Sequence, residues 1–339
     1  MKKTTKNPIL FLLVAAAGLA LPARALDVVT TTPDLGSLAR TVGGDALEVT
    51  VLVKGPQDAH FIEPRPSFIR KLHDADLFVL LGLEMEVGWA PVLLRSARNR
   101  AIQPGEPGYL DASAAILPLE IQTGPVDRSM GDLHASGNPH YLTDPINGVR
   151  VARLLRQRLA VLDPENAPDF ARNLAAFEAE VAARLVGEPL AAELGTDRVI
   201  ALADAGRLFG ALESDGRRER LGGWLGAVVE HRGARAVQDH RLWPYFAQRF
   251  GLELVETLEP LPGIPPTSRH LQRVVERVRQ EGASGILASR YFDPRHARWV
   301  SDKAGIPVVP MAHQPGAREG TDDYLATIDY NVMRWQEVF

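Results

Sequence analysis

The 339-residue sequence contains no cysteine. Without cysteine the chain forms no disulfide and offers no thiolate to a metal ion. The same absence excludes a mature N-terminus that is anchored through a lipid-modified cysteine. The fold must therefore be stabilised by its core alone, and a hydrophobic content of 45% is typical of a globular protein that can build one.

The sequence also lacks an excess of positive charge. Its formal net charge is −4, from 38 basic and 42 acidic residues, and its pI is about 6.2. No overall basic field is present that would attract nucleic acid or an anionic membrane. These two classes of partner are therefore excluded from the expected function.

The N-terminal apolar run, residues 9–21, is shorter than the roughly 20 residues that a membrane-spanning helix needs. It follows three lysines and precedes Ala23-Arg24-Ala25, which has the small-x-small pattern of a cleavage site. This order predicts a signal peptide over residues 1–25 and a mature chain that starts at Leu26. We expect the mature protein to lie free in the periplasm.

Strand and helix patterns alternate along the remaining sequence, which is typical of βαβ units and parallel sheets. Residues 77–83, for example, form a continuous apolar run of the kind found in a strand buried on both faces. The patterns predict an α/β fold of two lobes, residues 26–145 and 197–339, each with a parallel-rich sheet flanked by helices. Residues 146–196 are predicted to be connecting helices, with one long helix from about 165 to 194. A strand is predicted at Val199–Leu202.

Three histidines lie among turn-forming prolines and acidic residues in separate parts of the chain. His60 lies in D-A-H-F-I-E-P, His140 in G-N-P-H-Y-L-T-D-P and His240 in D-H-R-L-W-P-Y-F. Proline restricts the backbone on either side of His140. His60 follows a predicted strand, at the sheet edge where α/β proteins bind ligands. These settings predict that the three imidazoles meet at one site.

Three neutral imidazoles suit Zn²⁺ better than the oxygen-seeking Mg²⁺ or Ca²⁺. Each of the three histidines has an aspartate within a few residues, which either orients the imidazole or caps a helix. His134, in the polar segment 122–137, either holds metal transiently or is a solvated loop residue.

The three motifs, in this order after a signal peptide, resemble the cluster A-I substrate-binding proteins of zinc and manganese ABC transporters, the ZnuA/TroA-like family. The resemblance extends over essentially the whole mature chain. It implies two α/β lobes joined by a long backbone helix, with the metal in the cleft between them. His60 and His140 would come from the first lobe and His240 from the second.

The sequence departs from this family after the last predicted strand of the second lobe. Many members have an aspartate ligand there, whereas this chain reads V-V-P-M-A-H-Q-P-G, with Ala312 at the expected position. His313 is the nearest substitute, and we predict it as the fourth ligand. The long histidine-rich loop of some zinc-binding members is also missing.

The resemblance implies a receptor without a catalytic step, which captures a divalent ion as transported ligand and docks as a monomer on an ABC permease. Zinc is the predicted ion because the donor set is rich in nitrogen, and manganese, iron or copper is the alternative. A second hypothesis is a zinc hydrolase, for which Glu63 is the only glutamate close in sequence to a ligand. A third is an adhesin with a structural metal.

Overall fold

The computed structural model describes residues 24–124 and 134–338. The predicted n-region, apolar run and Ala23 of the export signal lie outside these residues. No helix in the described ranges is both long enough and apolar enough to cross a membrane.

Four parallel strands form the first sheet: β1 (Leu26–Thr30), β2 (Leu47–Val51), β3 (Leu77–Leu80) and β4 (Tyr109–Asp111). Their order is β2-β1-β3-β4. In the centre, Val28 lies opposite Val49 on one side and opposite Leu77 on the other. All four residues of β3 are buried, as its apolar run predicts for a strand covered on both faces.

The second sheet repeats this topology with β5 (Arg235–Gln238), β6 (Glu253–Thr257), β7 (Gly285–Ala288) and β8 (Val308–Pro310). All of its pairs are parallel and the order is β6-β5-β7-β8. The two sheets and their flanking helices confirm the predicted α/β fold class of two lobes.

Helices precede, connect and follow the strands. In the first lobe they are α1 (Pro33–Gly43), α2 (Pro66–Asp74) and α3 (Ala90–Ala97). After β4 come α4 (Pro145–Leu162), α5 (Ala167–Val186), α6 (Glu188–Leu194), α7 (Thr196–Asp204) and α8 (Leu208–Ser214). The rest of the described chain contains α9 (Gly223–Val228), α10 (Pro244–Phe250), α11 (Ser268–Glu281), α12 (Pro294–Ala304) and α13 (Tyr324–Gln336).

Helix α5 has 20 residues and packs against α1 on one side and α9 on the other. The prediction of one helix from 165 to 194 is wrong, because Gly187 interrupts it and separates α5 from α6. Its φ of 88° is a conformation that glycine adopts without strain, and Pro189 lies in the first turn of the next helix, α6. The predicted strand Val199–Leu202 is also wrong. These residues lie in α7, where Val199, Ile200 and Ala203 form one buried face.

The C-terminal helix α13 returns to the first lobe. The backbone N–H of Tyr324 donates to Ser37 Oγ at 2.9 Å, and its hydroxyl donates to the carbonyl of Leu142 at 2.9 Å. A Cβ on Gly148 would lie 2.4 Å from the Tyr324 ring, so only glycine fits there. These contacts join α13 to α1 and to the segment that carries His140.

Candidate metal centre

The fold delivers the three predicted histidines from three different connections. His60 lies between β2 and α2, His240 follows β5, and His140 directly precedes the short 3₁₀ helix Tyr141–Thr143 and α4. His60 and His240 thus follow carboxyl ends of strands in different sheets. This is the edge at which open α/β sheets bind ligands.

The three imidazole rings lie against one another. Their centroids are 5.5 Å apart for His60 and His140, 5.7 Å for His140 and His240, and 6.1 Å for His60 and His240. Imidazoles on one tetrahedral zinc ion would have centroids roughly 5 Å apart, since each Zn–N bond is about 2.0–2.1 Å. In the described ranges, no group of three or more His, Asp or Glu side chains has a geometry that could hold a metal ion.

His134 is a fourth histidine of this cluster. The sequence left it open whether His134 holds metal transiently or is a solvated loop residue. Its Nε2 lies 3.1 Å from Nε2 of His60, and the two ring centroids are 5.2 Å apart. The edge of a tetrahedral zinc site, from nitrogen to nitrogen, is about 3.3 Å long. The only sequence signal was its place six residues before His140 in a glycine-containing segment, which is equally typical of a solvated loop.

Glu84 ties the His134 segment to the first lobe. Its carboxylate accepts the backbone N–H of Ala135 at 2.8 Å and the hydroxyl of Ser136 at 3.0 Å. The φ of Glu84 is 68°, in the left-handed region that a non-glycine residue seldom adopts. The strained turn places this carboxylate where the two residues after His134 can bind it.

Asp58 orients His60. Its Oδ1 accepts both the backbone N–H and the Nδ1–H of His60, at 2.9 and 2.7 Å. Burial would raise the pKa of Asp58, but the hydrogen bond from His60 and the neighbouring imidazoles hold it below its usual value. A proton on Nδ1 places the lone pair of His60 on Nε2, which is the arrangement expected when a carboxylate supports a ligating histidine.

Glu259 has the same role for His240, at a distance of 2.7 Å from its Nδ1. The interpretation that Asp239 orients this ring is wrong. Asp239 instead accepts the backbone N–H of His240 at 2.8 Å and both N–H and O–H of Ser289. Adjacent side chains in a strand-to-loop segment point in different directions, so the partner comes from beyond β6.

His140 is held through its backbone. Its N–H donates to Asn138 Oδ1 at 2.9 Å, and its Nε2 is buried without a hydrogen-bond partner. Asp144 does not orient it: that carboxylate caps α4 through the N–H of Ile146 and forms a paired contact with Arg249 at 2.8 and 2.9 Å. For this aspartate the helix-cap alternative is the correct one.

Burial keeps the cluster neutral. It lowers the pKa of His140 well below the usual value, and the nearby His60, His240 and His134 rings add to the effect. Burial and the rings of His60 and His240 lower the pKa of His134 to about 3. Both side chains therefore present lone pairs, not positive charge, at neutral pH.

His313 lines a pocket together with Asp58 and His140. Its ring packs edge-on against Tyr291 with centroids 4.5 Å apart, and its Nε2 lies 3.3 Å from the carbonyl oxygen of Gln57. Burial lowers its pKa to about 4, and its Nδ1 is buried without a partner. In the described chain its ring is not among those that contact His60, His140 and His240.

A family model and the similar proteins of known function point to the same family. The family model "Zinc-uptake complex component A periplasmic" (ZnuA) matches residues 28–185 and 219–338. The chain is 26% identical over 315 residues to the "High-affinity zinc uptake system protein ZnuA" of Paracoccus denitrificans (strain Pd 1222), covering 85% of this chain and 84% of that protein. It is 23% identical over 321 residues to the "Manganese ABC transporter substrate-binding lipoprotein PsaA" of Streptococcus pneumoniae, covering 91% and 86%.

A solved structure described as "Crystal structure of ZnuA" superposes with a TM-score of 0.68 at 21% identity. The superposition covers 93% of this chain and 99% of that one, so the fold is shared. The residues between the two matched segments of the family model, 186–218, carry α6, α7 and α8.

The family match confirms the resemblance and excludes the hydrolase hypothesis, because members are transport proteins. Glu63, the candidate base of that hypothesis, is an exposed side chain. The chain belongs to the ZnuA family and is a substrate-binding protein of a metal ABC transporter, not an enzyme.

Proposed function

We propose that this chain captures Zn²⁺ in the periplasm, as a monomer, between lobes formed by residues 26–145 and 197–339. His60, His140 and His240 bind the ion, which the protein then delivers to its ABC permease. A signal peptide over residues 1–25 directs the chain to that compartment.

One observation carries the proposal: the imidazoles of His60, His140 and His240 converge, with ring centroids 5.5 to 6.1 Å apart. Nδ1 of His60 and of His240 each meets a carboxylate at 2.7 Å. Nε2 of His140 is buried without a partner, and such a nitrogen is costly unless something binds it. A cation that prefers nitrogen ligands would bind all three imidazoles.

Zinc is favoured over manganese because the carboxylates closest to the cluster are already engaged. Asp58 and Glu259 both accept from histidine Nδ1 atoms, which leaves the coordinating face rich in nitrogen. Manganese sites prefer more carboxylate oxygen. Manganese is the second candidate, since the similar protein of S. pneumoniae is named for it.

The contact between the Nε2 atoms of His60 and His134 supports His134 as fourth donor. His313 is the alternative fourth donor, since its Nδ1 is also buried without a hydrogen-bond partner.

The test is a competition titration of metal-free protein. We expect Zn²⁺ to be taken from a chromophoric chelator at one equivalent per chain, and Mn²⁺ to compete only in large excess. Metal analysis of protein purified without added metal supplies the independent check. Stoichiometric Mn²⁺ binding with weak Zn²⁺ binding would reverse the choice of ion.

A further inference from the structure

Gln314, in the loop after β8, is a buried side chain through which the second lobe contacts the first beside the cluster. Its amide Nε2 lies 3.2, 3.0 and 3.0 Å from the carbonyl oxygens of Lys54, Gly55 and Gln57 in the first lobe. Only 3% of Gln314 is exposed. The two N–H groups of one amide are therefore shared among three carbonyls of a single turn, a contact that depends on the position of both lobes.

The backbones touch next to this amide. A Cβ on Gly55 would lie 2.2 Å from the carbonyl carbon of Gly316, so the two loops approach as closely as glycine allows. The two loops therefore cannot move closer to each other at this point.

Each loop is braced within its own lobe. In the first, Gln57 N–H donates to Lys54 O at 2.9 Å, and Gln57 Oε1 accepts the N–H of Lys54 at 2.9 Å. In the second, the amide of Asn331 binds both the N–H and the carbonyl of Ala312, each at 2.8 Å. The Gln314 contact thus joins two stiff segments.

The turn of residues 54–57 leads directly into the Asp58–His60 pair. Gln57, whose carbonyl Gln314 binds, is the residue before Asp58, and Asp58 accepts two hydrogen bonds from His60. A change at Gln314 would therefore reach the imidazole of His60 through two consecutive residues, Gln57 and Asp58, and the Asp58 carboxylate, without contact between Gln314 and the ion.

We propose that Gln314 is a positioning residue that locks the 54–57 turn against the second lobe and so sets the orientation of His60 toward the metal. This inference rests on the proposed function, since it assigns a role only if His60 binds the ion. The segment after β8 would then support the site although Gln314 does not itself coordinate the ion.

The test compares Gln314→Met with Gln103→Met in the full mature chain. Methionine keeps the side-chain volume and removes the donor. Gln103 is the matched control because its Nε2 also donates to two backbone carbonyls, those of Leu94 and Asn99 at 3.2 and 2.7 Å, but within the first lobe. Zinc affinity is measured by chelator competition, and Co²⁺ absorption reports the coordination geometry. Gln314→Asn, one methylene too short, is the milder variant if Gln314→Met does not fold.

We expect Gln314→Met to weaken zinc binding by about 10- to 100-fold, as loss of other supporting groups does, and to change the visible Co²⁺ spectrum. Gln103→Met should lower thermal stability while leaving affinity and spectrum as in the parent. Parent-like affinity and spectrum in the Gln314 variants would overturn the inference, as would equal effects in Gln103→Met. If the parent binds zinc no better than His60→Ala, the proposed function fails instead.

Discussion

The side-chain amide of Asn138 in the first lobe donates to the backbone carbonyl of Arg241 in the second, at 2.7 Å. The Oδ1 of the same amide accepts the N–H of His140 at 2.9 Å, and Arg241 directly follows His240. Asn138 is almost fully buried, with 5% of its surface exposed. One side chain thus holds the backbone beside two proposed ligands that come from different lobes.

We expect Asn138→Ala to weaken zinc binding by about 10- to 100-fold, because both histidines lose a fixed backbone position. The control is Asn99→Ala. Asn99 also donates to two carbonyls, those of Leu72 and Ala75, and accepts one N–H, from Ala101, but away from the cluster. Titration of both variants decides the point: an equal loss of affinity in each would show a general effect on stability.

The three proposed ligands should be individually essential. His60→Ala, His140→Ala and His240→Ala are each expected to reduce zinc affinity by at least about 100-fold while far-UV circular dichroism stays native, since the rings lie on loops. His73→Ala serves as control, because His73 binds the carbonyl of Ala97 at 2.9 Å, outside the cluster. A variant with parental affinity would remove that histidine from the site.

The fourth position is decided by a comparison of His134→Ala with His313→Ala. From the 3.1 Å contact with His60 we expect His134→Ala to weaken zinc binding by about 10- to 100-fold and to alter the Co²⁺ spectrum. His313→Ala should leave the spectrum unchanged. The reverse result, with a changed spectrum only in His313→Ala, would show that the sequence prediction of His313 is right.

Asp34 predicts a dependence of stability on pH. It lies near the start of α1 with 6% of its surface exposed, and burial raises its pKa to about 8. An aspartate in the unfolded chain loses its proton near pH 3.9, so between about pH 4 and 8 the folded state binds more protons. The free energy of unfolding should therefore fall as pH rises through this range.

The measurement is urea unfolding of metal-free Asp34→Asn and of the parent from pH 5 to pH 8. We expect the variant to gain stability relative to the parent as pH rises, by at most about 1.4 kcal/mol per pH unit. Asp302→Asn, at an exposed position on α12, should follow the parent. A difference between Asp34→Asn and the parent that does not change with pH would mean that this carboxyl titrates normally.

Much of the fold could be predicted because its evidence lies in consecutive residues. The apolar run at 77–83, for example, contains the buried strand β3, which ends at Leu80. The same local evidence failed at Val199–Leu202. A short apolar run is compatible with either element, and packing of α7 decided for a helix.

The α/β class, the absence of thiolate ligands and the three proline-associated histidines could be predicted from composition and short motifs. The support of His240 by Glu259, the place of His134 in the cluster and the contact of Gln314 with the turn before Asp58 became visible only in the folded chain. These partners are separated along the chain by 19 residues, 74 residues and about 260 residues. Glu259 and His240 meet because they follow neighbouring strands of one sheet, whereas Gln314 and the 54–57 turn follow strands of different sheets.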